Sequence, residues 1–260
     1  MKKLFRFALL LIAAPSVAFA QEAPENSVFI AGGVAAVPRY EGADKYQPIP
    51  LAIVRANWEH RYLAIEGPSI RANIINESAF EFGPLVNIVL DRSGNLGGVA
   101  VEQLATIKVA AEVGAFAGYN VTVSPTSRVR IGIEGSHDVT GIHDGWQARV
   151  SLGYSAAPSQ RVRISATATA NFADAGYART YFGITAAGST ASGLPGYTPN
   201  GGLKDVGLNL AGTYSLSRRW SLTAVGSYRR LLADFADSPI VAREGSSNQF
   251  FAGLGLGYFF

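Results

Sequence analysis

At 260 residues the chain could hold two small domains, although β-barrels of this length form as one. It carries no cysteine, which excludes disulfides, thiolate chemistry and an acylated lipoprotein N-terminus. Lys and Arg number 22 against 19 Asp and Glu; a cleaved leader removes Lys2, Lys3 and Arg6 and leaves 19 against 19, so bulk charge gives no argument for nucleic-acid binding.

Residues 1–20 read as a Sec-type signal peptide. A basic start (Lys2, Lys3, Arg6) precedes an apolar core over 7–14, and Ala18-Phe19-Ala20 offers an A-x-A cleavage site before Gln21. Residues 21–260 are then one mature domain. No later stretch reaches the ~20 continuous apolar residues of a membrane helix.

From residue 26 onward the chain divides into segments of about ten residues with a period of two, the strand period. The first covers 27–37. The second, 47–57, contains Pro48 and Pro50, which cannot donate to a ladder and belong near a strand end. Residues 61–76 are strand-like but broken at Gly67-Pro68. Phe80, Phe82, Pro84, Val86 and Ile88 then alternate with Glu81, Gly83, Leu85 and Asn87; after a glycine-rich loop, Ile107, Val109, Ala111 and Val113 oppose Lys108, Glu112 and Gly114. The clearest alternation follows. Ile131 and Ile133 oppose Arg128, Arg130 and Glu134; Val150 and Leu152 oppose Arg149 and Ser151; Ile164 and Ala166 oppose Arg161, Arg163 and Ser165. Leu208, Leu210 and Tyr214 then oppose Asn209 and Thr213, and Trp220, Leu222 and Tyr228 oppose Arg219, Thr223 and Arg229. In the last segment Phe250, Ala252, Leu254, Leu256, Tyr258 and Phe260 form one face.

Alternation suits both a soluble sandwich and a membrane barrel. Two features favour the barrel. Aromatics sit at strand ends, and connections in the C-terminal half alternate between short (124–127, 156–160, 216–218) and long (138–145, 173–203, 233–248), as periplasmic turns and outer loops do. Open strands in lipid would leave backbone groups unpaired, so spanning strands must close. The expected fold is therefore all-β: a single antiparallel transmembrane β-barrel in the outer membrane. A single-chain barrel needs an even strand count, so Gly67-Pro68 is read as a turn, giving twelve strands, with ten as the alternative.

The ordered loop motifs Pro38-Arg39-Tyr40-Glu41-Gly42, Tyr181-Phe182-Gly183-Ile184, the run from Ser192 to Gly202, and Asp237-Ser238-Pro239-Ile240-Val241 resemble the MipA/OmpV family of outer-membrane proteins. The resemblance covers nearly the whole mature chain and ends on Tyr258-Phe259-Phe260. It implies an outer-membrane barrel and, for some members, a scaffold linking a lytic transglycosylase to a peptidoglycan synthase. It supplies no catalytic residues. A small pore or an adhesin is the alternative, and a barrel hydrolase a further one.

His137-Asp138 and His143-Asp144 share one outer loop and could bind a metal or act in acid–base chemistry, but the loop reads more simply as a polar tip rich in turn formers. With three histidines and no G-x-S-x-G motif, no nucleophile set is evident, and no cofactor is implied. Charged residues on the lumen face either select ions or pair across a narrow barrel and close it. Tyr258 and Phe260 are expected to form the signal read by the barrel-assembly machinery. Arg128, Arg130, Arg161, Arg163, Arg218 and Arg219 follow short turns and are the candidate periplasmic dock. The remaining partner is outer-membrane lipid.

Overall fold

The computed structural model of the protein describes residues 26–94 and 96–260. The expected leader, residues 1–20, lies outside them. Twelve strands close one antiparallel barrel in chain order. They are β1 (Ser27–Pro38), β2 (Tyr46–Trp58), β3 (Arg61–Glu66), β4 (Ser69–Asn73), β5 (Phe80–Val89), β6 (Ala110–Ser124), β7 (Ser127–Asp138), β8 (Trp146–Ala156), β9 (Val162–Ala173), β10 (Gly202–Ser215), β11 (Trp220–Leu231) and β12 (Asn248–Phe259). The chain closes where β1 pairs β12, from Phe29 opposite Phe259 to Ala36 opposite Ala252. Among the described residues no helix is long and apolar enough to cross a membrane.

The two faces of each strand follow the sequence periodicity. Leu152 is 55% exposed on the outer wall, whereas Ser151 points into the lumen. Inward side chains differ around the circumference. Phe29, Ala31, Ile49, Leu51, Ile53, Val225 and Phe251 make an apolar cluster on the lumen face of β1, β2, β11 and β12. The opposite wall carries charge pairs. Glu134 Oε1 lies 2.8 Å from Arg149 Nη1, its Oε2 lies 3.3 Å from Arg71 Nη2, and Arg130 Nη2 lies 2.9 Å from Glu81 Oε2. Pairing satisfies charges that burial would otherwise penalise heavily.

Gly67-Pro68 is a turn, as strand parity requires, but the hairpin it closes is short. β3 pairs only with Ile53–Trp58, so the outer half of β2 has a neighbour on one side alone. Ala52 O accepts from Gly67 N at 3.3 Å, so Ala52 points its polar groups toward β3. Residues two and four positions back point the same way, and these are Pro50 and Pro48. The prolines therefore stand along an unpaired edge, where no donor is lost.

The outer loops hold short helices that the alternation did not foretell: α1 (Val99–Glu102), α2 (Ala175–Phe182), α3 (Ala186–Ser192), α4 (Ala233–Asp237) and α5 (Pro239–Ala242). In α2 the Asp174 side chain accepts from Tyr177 N, and Tyr177, Ala178, Tyr181 and Phe182 are buried on one face. Ile107 departs from the expected alternation. It precedes β6, bridges Arg92, and turns inward to pack with α2.

Candidate functional site: a capped chamber and an inner arginine rim

The loops after β1, β5, β9 and β11 condense over the outer mouth into a cap. One apolar cluster joins Ile107, Tyr177, Phe182, Phe235 and Val241; a second joins Tyr40, Ala43, Leu96, Val101, Ile184, Leu194 and Ile240. Phe182 and Phe235 are fully buried and meet edge to face at 5.1 Å. The Ser238 hydroxyl donates to Phe182 O at 2.6 Å, tying the loop after β11 to α2. Gly42 has φ +96, and Ser246 N donates to its carbonyl at 2.8 Å; a Cβ at Gly245 would lie 1.9 Å from that oxygen. Only glycine permits both the backbone angle and the approach. The loop motifs that carried the family resemblance are thus the residues that build the cap.

Beneath the cap lies a chamber with about 150 Å³ of water-accessible space. Glu41, next to Gly42, reaches into it. Its Oε2 accepts from the Tyr177 hydroxyl at 2.7 Å, its Oε1 accepts from Lys204 Nζ at 2.9 Å, and Arg229 Nη1 stands 3.7 Å away. Burial opposes the Glu41 charge, but Lys204 and Arg229 outweigh it and hold the carboxyl below its ordinary range. Burial, with Glu41 beside it, pushes the Tyr177 phenol well up. Lys204 comes inward because a bulge interrupts the β9–β10 register between Leu203 and Asp205, so both Lys204 and Asp205 are buried. Two adjacent polar residues, Lys204-Asp205, in an otherwise alternating strand were the available sequence signal.

The loop expected as a polar tip keeps its tip exposed at 139–141 and turns His143 inward. Asp138 accepts backbone N–H bonds from Thr140, Ile142, His143 and Asp144. That turn buries His143, whose Nδ1 accepts from Gly145 N at 3.2 Å and whose Nε2 lies 3.2 Å from Glu112 Oε1. Tyr177 and Tyr181 flank the ring at 5.2 and 5.7 Å. His137 stays at the rim against Trp146, with ring centroids 4.6 Å apart, and Asp144 is exposed. Among the described residues no group of three His, Cys, Asp or Glu could hold a metal ion.

The six arginines singled out from the turns lie toward the inner end of the barrel in three different settings. Arg161, Arg218 and Arg219 are exposed, and Arg219 Nη1 donates to the Tyr258 hydroxyl at 3.1 Å. Arg128 and Arg163 are half-buried on the lumen face. Arg130 is committed to Glu81, with Nε and Nη2 both donating to Oε2. Tyr258 packs edge to face on Trp220 and Phe260, and Phe260 N donates to Val28 O across the barrel seam.

Solved outer-membrane structures similar to this chain include an outer membrane channel from Pseudomonas putida F1, at 9% identity and a TM-score of 0.49, covering 96% of this chain and 100% of that one. The NanC porin is similar at 7% identity and 0.45, covering 89% and 98%. The Pseudomonas putida toluene transporter TodX follows at 10% and 0.39, covering 91% and 89%. No curated protein matches. The family model for the MltA-interacting protein MipA matches residues 30–260, and the chain belongs to that family.

Proposed function

We propose that this outer-membrane barrel is a non-enzymatic, non-conducting scaffold whose periplasmic rim docks peptidoglycan-remodelling enzymes. The observation that carries the reading is the cap, in which four outer loops share two apolar clusters across the mouth. A barrel built to pass solutes keeps a polar, water-filled lumen. Here the lumen charges pair and one wall is apolar. The family description, MltA-interacting protein, supports a lytic transglycosylase as one partner. Arg161, Arg218 and Arg219 are exposed beside the short turns and offer planar guanidinium groups to an acidic surface. The scaffold reading needs no chemistry from His143, whose ring is held among Glu112, Tyr177 and Tyr181.

Changing Arg161, Arg218 and Arg219 to Glu tests the dock. The triple variant is expected to assemble as a heat-modifiable barrel and to lose capture of cell-wall enzymes from envelope extract. Full capture by the assembled variant would move the dock to the other turns.

A further inference from the structure

The barrel wall has a gap. Strands β1, β2 and β5 to β12 hold ten or more residues each, but β3 and β4 hold six and five. Above the turn at Gly67-Pro68 two strands are missing, between the free edge of β2 and the end of β5. Three sides are formed by Pro48 and Pro50, by Gly67-Pro68, and by Ile88 to Leu90; Gly97, where an added Cβ would meet Lys45 Cγ at 3.0 Å, bridges the top. The gap lies in the outer half of the wall, where Val34, opposite Pro50, and Ile70, beside the turn, are exposed apolar side chains.

An unpaired edge normally invites a further strand. This one does not. Two successive positions that would donate from it, Pro48 and Pro50, are prolines exposed on the wall, so a second copy or a peptide would find those ladder bonds missing. The gap is kept open by sequence.

Behind it lies the capped chamber, whose lining includes Pro68, Ser69, Ile88 and Val89 from the gap's rim. Three of its lining cations, Arg149, Lys204 and Arg229, have carboxylate partners. Arg149 and Arg71 share Glu134, while Lys204 and Arg229 share Glu41. Arg92 also lines the chamber, is 6% exposed, and has no carboxylate partner among the described residues; its Nη1 donates to Tyr181 O at 2.8 Å and its Nε has no acceptor. The neighbouring Asp91 carboxylate accepts from Ser93 instead. The Tyr181 hydroxyl, in the same lining and 7% exposed, is also without a partner. Buried donors without acceptors are costly and point to an absent acceptor.

We propose that the gap is a lateral portal from the outer leaflet, and that Arg92 and Tyr181 bind the carboxylate head of a long-chain fatty acid drawn through it. The Arg92 guanidinium, buried and without a carboxylate beside it, suits a single negative charge, and its planar fork matches a carboxylate. The space beneath the cap fits a small head and a few methylenes, and the tail remains in the apolar gap. The cap closes the aqueous route, so the ligand comes from the bilayer.

Binding of radiolabelled palmitate to the full barrel in lipid nanodiscs tests this. Wild-type protein is expected to bind saturably, with no competition from methyl palmitate, which lacks the charge, or from acetate, which lacks the chain. Arg92→Gln and Tyr181→Phe are each expected to weaken binding by roughly 10- to 100-fold, the loss of one charge-assisted or buried hydrogen bond. Tyr181→Phe keeps the ring, so it reports even if Arg92→Gln fails to assemble. Tryptophans at Pro50 and Ile88 are expected to narrow the gap and slow association. No saturable binding, unchanged binding by assembled variants, or competition by methyl palmitate or acetate would overturn the assignment. Displacement by hexadecyl phosphate as strong as by palmitate would overturn the carboxylate class, and an unchanged association rate would overturn the portal.

Discussion

At the scale of single residues, position on the wall decides cost. Leu152→Arg places a charge in hydrocarbon and is expected to destabilise the barrel by ~2–4 kcal/mol, whereas Ser151→Arg points into the lumen and costs far less. Refolding yields of the two variants in lipid check this; equal yields would reverse the facing. Glu41 supplies a second case. Its folded pKa lies below the ordinary 4.5, so the stability it contributes is fully present above that value and is lost as pH falls through the folded one. Pepsin is therefore expected to cut the outer loops progressively as the medium is acidified, with a weaker pH dependence in Glu41→Gln. An identical acid profile for both proteins would remove Glu41 from the cap's stability.

Among the elements, β12 has two tasks. It closes the barrel against β1 and β11, and its end carries Tyr258 and Phe260 on the outer wall, with Phe260 71% exposed. Phe260 makes one backbone bond, to Val28, and packs on Tyr258, so its removal takes little from the folded wall. If the strand end is the signal for assembly, as its sequence leads one to expect, deleting Phe260 leaves unassembled, protease-sensitive protein in the periplasm. Normal heat-modifiable barrel in outer-membrane fractions of the deletion would refute that role. β2 shows the complementary logic: its prolines are tolerated because the edge they occupy carries no ladder.

For the whole molecule the decisive feature is closure from the outside. With the loops packed as one cap, wild-type protein is expected to show no steady conductance in planar bilayers. Removal of residues 175–200, which carry α2 and α3, is expected to open measurable steps. Porin-like conductance of the intact protein would refute the closed reading and restore the pore.

What the sequence determined by itself is what depends on neighbours. A period of two fixes which face of each strand meets lipid, and the parity of a closed barrel makes Gly67-Pro68 a turn. The ordered loop motifs identified the family without showing that they meet. Tertiary structure alone decided the rest, because it depends on residues far apart in the chain. Lys204 lies 163 positions from Glu41, and α2 comes back across the mouth to bury Tyr177 between them. His143 turned inward because Asp138 gathers backbone donors, an arrangement that strand alternation does not encode. The gap appeared because β3 and β4 stop short, and strand length is set by where partners end rather than by the pattern within either strand.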